Sequence, residues 1–247
     1  MSTDIKKAAA IIIGNELLSG KVSDQNGIYL SRELRSLGLD LQRLVIVPDD
    51  VKHISDEIVY CRGKYDLIFT SGGVGPTHDD VTMAGIAAAV GHPLIQHPEL
   101  TRLLKEIYRG HVSPIQMALA RVPKGIQLIY AEALRVPVLH FDEIYILPGV
   151  PELFVKKFEA IKEGFREPPY YLKKIFFSEE EITVAENLRT TIKKFPNVLL
   201  GSYPILHEPD YKMIITIESK NKAYLEKAVK FLASLLPEQG ITKIESA

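Results

Sequence analysis

Leu67-Ile68-Phe69-Thr70-Ser71-Gly72-Gly73-Val74-Gly75-Pro76-Thr77-His78-Asp79-Asp80 is an apolar run that passes without interruption into a glycine-rich, acid-ended loop. The apolar part, read as a strand over Asp66 to Thr70, is short and shows no alternation, as expected of a strand buried on both faces. After the loop, Val81, Ala84 and Ala88 recur at helical spacing until Gly91-His92-Pro93 ends the helix. Strand, glycine loop and helix N-terminus in that order point to a parallel sheet covered by helices.

The residues before this stretch repeat the pattern. Ala8 to Ile13 is a second continuous apolar run, closed by Gly14. A helix is predicted to start near Asp24, with Leu30, Leu34 and Leu37 on one face and Gly38 as its stop. Leu44 to Val47 resumes strand character, and Pro48-Asp49-Asp50 opens a helix whose Val51, Ile54 and Ile58 share a face. The result is βαβαβ in roughly the first 70 residues, with right-handed crossovers that bring the C-terminal strand ends to one edge, where ligands bind.

The residues after it predict helices over Pro98 to Tyr108 and Pro114 to Leu119, and strands over Gln127 to Tyr130 and Glu143 to Leu147. Pro148-Gly149-Val150-Pro151 is read as a turn into a helix that buries Phe154, Phe158 and Ile161. Pro168-Pro169 suggests a linker between a first domain over 1–166 and a small α+β domain over 171–247. The second part reads as a strand over Leu172 to Phe177 and a helix entered through a Ser178-x-x-Glu181 capping box. Strands over Val198 to Tyr203 and Met213 to Ile217 follow, then a last helix marked by Leu225, Val229, Leu232 and Leu236.

Composition narrows the function classes. The chain has 247 residues with 46% hydrophobic and 25% charged, which argues for a globular protein. A net charge of −1 gives no global field for nucleic acid or an anionic bilayer, so neither is expected as a partner. The single Cys61 cannot form an internal disulfide and falls on an apolar helix face, and no stretch near the N-terminus suits a span or signal core. A cytoplasmic location is expected.

The glycine loop suits phosphate, because glycines let a ligand approach the main chain while the helix offers unpaired N–H groups and a positive dipole end. Neither a Gly-Lys-Ser/Thr ending nor a dinucleotide fingerprint after the first strand is present, which points away from kinases and hydride transfer. Ser71, Gly72, Gly73, Gly75 and Thr77 are the candidate phosphate contacts. Asp79 and Asp80 would repel an anion unless a divalent cation (Mg, Mn or Co) intervened, so they are the candidate catalytic and metal-holding residues; the alternative is that one of them merely caps the helix.

At the same predicted edge, Glu16 could reach metal through water or bond a ribose, or could stabilise a helix start. Asn26 could face the ligand or be a first-turn residue. Pro148, Gly149 and Glu152 could close the pocket or form only a rigid turn. The seven histidines show no zinc-ligand spacing, and Ser71 lacks the Gly-x-Ser-x-Gly elbow of hydrolases.

These loops carry a family resemblance. Residues 71–82, with Gly14-Asn15-Glu16-Leu17-Leu18-Ser19-Gly20 and Leu147-Pro148-Gly149-Val150-Pro151-Glu152, resemble the MoaB/Mog-like (molybdopterin-binding-like) domain of CinA, the competence/damage-inducible protein family. The likeness is closer to the corresponding domain of eukaryotic FAD synthases. Arg135 to Glu152 lacks the Gly-Thr-Ala-Pro-Gly stretch of CinA, and Gly201-Ser202-Tyr203-Pro204 looks like the FAD-synthase branch.

The resemblance implies a three-layer α/β/α sandwich, a homo-oligomer, and metal-dependent hydrolysis of dinucleotide pyrophosphates such as ADP-ribose or FAD. It places Asp80 at the family's functionally important aspartate. Asp79 stands where the molybdopterin branch commonly has Arg, and Asn15 where Thr or Asp is usual. The CinA deamidase and FAD-synthase adenylyltransferase activities are expected to be absent. The expected activity is therefore that of a metal-dependent nucleotide pyrophosphatase. The alternatives are a pterin- or nucleotide-binding module without hydrolysis, or a molybdenum cofactor biosynthesis protein.

Overall fold

The structure, a computed structural model, describes residues 5–246, and the chain divides after Glu167 into two compact units. In the first unit β1 (Lys7–Ile13) is flanked by β2 (Asp40–Val47) and β3 (Leu67–Ser71), and β3 is flanked by β8 (Ile144–Leu147), all parallel. The sheet continues antiparallel through β7 (Val138–Phe141) to β6 (Gln127–Ile129), giving the order β2-β1-β3-β8-β7-β6. A separate hairpin-like pair joins β4 (Leu94–Gln96) to β5 (Arg121–Pro123).

The helices of this unit are α1 (Asn15–Leu18), α2 (Asn26–Ser36), α3 (Val51–Cys61), α4 (Thr82–Val90), α5 (Pro98–Ile107), α6 (Pro114–Ala118) and α7 (Pro151–Glu159). The side chains of β1 explain the layering. Ala9, Ile11 and Ile13 pack with Ile54, Ile58, Cys61 and Ile86 on one face, while Ala8 and Ala10 pack with Leu30, Leu34, Phe154 and Phe158 on the other. Alternation along a strand covered on both faces yields the α/β/α sandwich.

The second unit is built from β9 (Tyr171–Phe177), α8 (Glu181–Lys194), β10 (Leu199–Pro204), β11 (Met213–Ser219), α9 (Lys222–Leu235) and β12 (Ile241–Ser246). Its antiparallel sheet has the order β10-β11-β9-β12, a split β-α-β arrangement of the ferredoxin-like kind. Ile175, Phe177, Ile215 and Ile217 form its core with Val184, Leu188, Leu225 and Leu232.

Several local expectations are corrected. The helix expected from Asp24 begins at Asn26, and Asp24 instead accepts the Gly27 N–H at 3.0 Å from outside the helix. Ser178 does not cap α8, which has Glu180 at its N-cap with no side-chain capping bond; the Ser178 N–H donates to the Gly240 carbonyl at 2.9 Å, an extended partner that competes with capping. Strand β2 starts earlier than its apolar residues, at Asp40, because backbone pairing with Lys7 extends it. The unforeseen β12 is almost wholly exposed and has little apolar pattern; main-chain bonds to β9 make it a strand.

Gly85 shows how closely the helices approach. A Cβ there would lie 2.4 Å from Cγ2 of Ile54, so α4 meets α3 without room for a side chain. Although alanine has the better helix propensity by about 1 kcal/mol, Gly85→Ala is expected to destabilise by a net ~1–2 kcal/mol through overpacking. Chemical denaturation checks this, and Ile54→Ala in the same chain should recover part of the loss attributable to the clash.

Candidate functional site

The strands β1, β3 and β8 end on one edge, and the segments that leave them are fastened by buried polar groups. The Asn26 side chain, buried at the start of α2, donates to Ser71 Oγ at 2.9 Å and to the Gly149 carbonyl at 2.8 Å. Ser71 Oγ in turn donates to the Pro148 carbonyl at 3.2 Å. Thr82, wholly buried, ties the loop to α4: its hydroxyl donates to the Gly72 carbonyl at 2.8 Å and its N–H to the Gly73 carbonyl at 3.0 Å.

Main chain packs against main chain at the centre. Gly72 has φ +107°, and a Cβ on it would lie 2.2 Å from the Ile13 carbonyl oxygen. A Cβ on Gly149 would lie 3.2 Å from the Gly72 Cα. Residues with side chains could not close the three strand ends this tightly.

The glycine loop is closed by Asp80. Its Oδ1 accepts the Gly75 N–H at 2.6 Å, and its Oδ2 accepts the Thr77 N–H at 2.7 Å and the Thr77 hydroxyl. The same hydroxyl also lies 2.6 Å from Asp79 Oδ1, and this bond holds the exposed Asp79 carboxyl below its ordinary range. The N–H groups of Gly75 and Thr77, expected to cradle phosphate, are thus already given to Asp80. Those of Gly73 and Val74 have no partner among the described residues, and they precede the open N-terminal turn of α4.

Beside this loop lies a cavity of about 530 Å³. Gly73, Gly75, Thr77, Asp80 and Pro148 of the expected contacts line it. Ser71, Gly72, Asn26 and Gly149 do not; they brace the wall from behind. Glu16, Asp79 and Glu152 are exposed and also outside the lining, and His78 is 97% exposed. Leu100, Leu103, Leu104 and Ile107 of α5 give the cavity an apolar wall.

Arg121, Arg135 and Lys157 line the cavity as well, and the sequence reading missed all three. Each lies far along the chain from the glycine loop, and no motif marks it. Lys157 is held at the cavity by its bond to the Pro137 carbonyl at 2.7 Å, and burial pushes its ammonium down to about 8.

The described residues contain no group of three or more His, Cys, Asp or Glu placed to hold a metal. Asp79 and Asp80 therefore do not form a protein cage. They fit only the mode in which one or two carboxylates hold a hard cation whose other ligands are water and substrate phosphate. None of the helices in the described residues is long and apolar enough to cross a membrane.

Residues 9–167 match the family described as "Probable molybdopterin binding domain", and residues 169–245 match that described as "FAD synthase, middle domain". A "Probable FAD synthase" of Caenorhabditis elegans is 28% identical over 94% of this chain and 50% of its own length. A "CinA-like protein" of Thermotoga maritima is 32% identical over 92% of this chain and 57% of its own. The chain thus spans about half the length of these two relatives. The crystal structure of the protein CinA, of unknown function, from Thermoplasma acidophilum superposes with a TM-score of 0.60 and 28% identity. It covers 65% of this chain and 98% of that one.

Two outcomes are expected from this geometry without any ligand. Asp80→Ala should leave the chain folded but speed hydrogen exchange at the Gly75 and Thr77 amides roughly tenfold or more, since both lose a charged acceptor. Lys157 releases its proton near pH 8 when folded and only near the ordinary lysine value, 10.5, when unfolded. The unfolded chain binds more protons in that window, so stability relative to Lys157→Met should rise from pH 8 to 10.5, as thermal melts across pH would show.

Proposed function

The chain belongs to the family described as "Probable molybdopterin binding domain", and from that premise we propose that it is a metal-dependent nucleotide pyrophosphatase. The observation that carries this reading is the position of Asp80: a carboxylate stands on the wall of the cavity whose adjoining wall is the glycine loop. Anion-binding amides and an acid side by side suit a phosphoric anhydride accompanied by a cation.

In this reading the open amides of Gly73 and Val74 and the N-terminal turn of α4 hold one phosphoryl group. Asp80, with Asp79 beside it, holds a divalent cation at the anhydride, and the apolar wall from α5 takes a ring of the ligand and keeps bulk water out. The cation, when bound, neutralises the diphosphate and acidifies a water. Water adds across the P–O–P bond, and two phosphate monoesters leave, one of them AMP from an adenine dinucleotide. Relatives named FAD synthase and CinA-like share both parts of this chain, which supports a nucleotide-related activity and brings FAD forward as a substrate; ADP-ribose carries the same adenosine diphosphate group. A binding role without turnover has one observation on its side, because both oxygens of Asp80 are already engaged by loop donors.

Purified protein incubated with ADP-ribose or FAD and Mg, Mn or Co is expected to release AMP, and chelation should stop it. Asp80→Ala should lower turnover by about 100-fold or more with the melting transition retained. Absence of AMP across all metals and both substrates would sink the hydrolase reading, and calorimetric uptake in the same samples would then assign the binding role.

A further inference from the structure

The polar lining of the cavity away from the glycine loop is unbalanced in charge. Arg121, Arg135 and Lys157 all face the cavity, and Asp80 is the one carboxylate in its lining. None of the three cations has an ion-pair partner among the described residues. Arg121 and Arg135 are exposed at their ends of the cavity, and Arg135 donates to the Ile107 carbonyl at 3.2 Å, which fixes it at the end of α5.

Lys157 differs from both. It arises from α7, whose Phe154 and Phe158 are wholly buried, and its ammonium donates to one backbone carbonyl, that of Pro137. An ammonium has three donors, so two remain for a ligand. Desolvation is the sole cause of its lowered affinity for the proton; no carboxylate offsets it. A partly buried cation with no counter-ion is a costly arrangement unless an anion arrives to complete it.

We propose that Lys157, with Arg135 and Arg121 at the rim, forms a second anion subsite of the cavity, apart from the glycine loop, which takes a phosphoryl group of a ligand that carries at least two. This rests on the reading of the cavity as a nucleotide site and adds to it the requirement for a diphosphate rather than a single phosphate. The glycine loop has few amides left after Asp80 has taken Gly75 and Thr77, so it can serve one phosphoryl group; the second needs charge from elsewhere on the wall, and Lys157 supplies it. The shared chemistry, a diphosphate, can come from a dinucleotide or from inorganic pyrophosphate, and the two probes separate them.

Isothermal titration with ADP-ribose and with inorganic pyrophosphate, with and without magnesium, tests the subsite on the parent chain, Lys157→Met, Lys157→Arg and Arg135→Ala, each first checked for a parent-like melt. Lys157→Met is expected to bind both probes about 10- to 100-fold more weakly, the loss of a charged hydrogen bond. Lys157→Arg should lie nearer the parent than Lys157→Met does, and Arg135→Ala, at the rim, should lose less than Lys157→Met. AMP, with one phosphate, should be affected less than ADP-ribose. Parent-like binding of both probes by Lys157→Met overturns the subsite while AMP release by the parent keeps the hydrolase reading. Lys157-dependent pyrophosphate binding in a chain that releases no AMP keeps the subsite and removes that reading. A parent chain that binds neither probe overturns the subsite, and AMP release from FAD then decides the hydrolase reading separately. If Lys157→Met does not fold, Lys157→Arg and Arg135→Ala decide: parent-like binding by Arg135→Ala together with complete loss in Lys157→Arg overturns a charge-based subsite.

Discussion

Close approach of backbone to backbone at the ends of β1, β3 and β8 is the constraint on which the rest of this site depends. Gly72 lies against the Ile13 carbonyl and Gly149 against the Gly72 Cα, so the loops after the strands share a wall that no side chain separates. Once that wall is closed, its carbonyl groups need donors, and the buried Asn26 and Thr82 side chains supply them from two helices on opposite faces of the sheet. The polar groups nearest the strand ends are therefore engaged with the main chain and with one another. They set the position of the glycine loop without entering the cavity.

The loop itself is held from within. Asp80 gathers two amides and a hydroxyl of its own loop, which makes the carboxylate a brace and a wall residue at once. A carboxylate so engaged is oriented by three donors of its own loop, and the amides of Gly73 and Val74, residues of the cavity lining, are left without a partner among the described residues. Asp80 is the one carboxylate in the cavity lining, and on other parts of the wall Arg121, Arg135 and Lys157 make the cavity positive on balance although the chain carries a net charge of −1.

Much of the fold was legible because its main strands are buried on both faces. A short continuous run such as Ala8 to Ile13, closed by a glycine, suits a strand covered on both faces, and Leu30, Leu34 and Leu37 have the spacing of the inner face of a helix. Elements held by backbone pairing at an edge were not legible. The exposed β12 and the extended start of β2 have no apolar pattern of their own, and the short β4 and β5 exist through each other. Ser178 satisfies the spacing of a capping box, yet its amide is held in the extended chain by Gly240, so local chemistry was overridden by a partner more than sixty residues away.

The sequence by itself determined the sheet class, the three loops that meet at one edge and the glycine-acid chemistry of the site, because strand burial, glycine geometry and crossover handedness act locally or through rules that hold for any chain. Only the tertiary structure decided which of those residues face the cavity. Asn26, Ser71 and Gly149 turn inward as fastenings, Glu16, Asp79 and Glu152 remain outside the cavity lining, and Lys157 arrives from a helix some eighty residues beyond the loop. The direction of a side chain at a packed junction depends on the neighbours it must satisfy, and those neighbours are brought together by folding rather than by spacing along the chain.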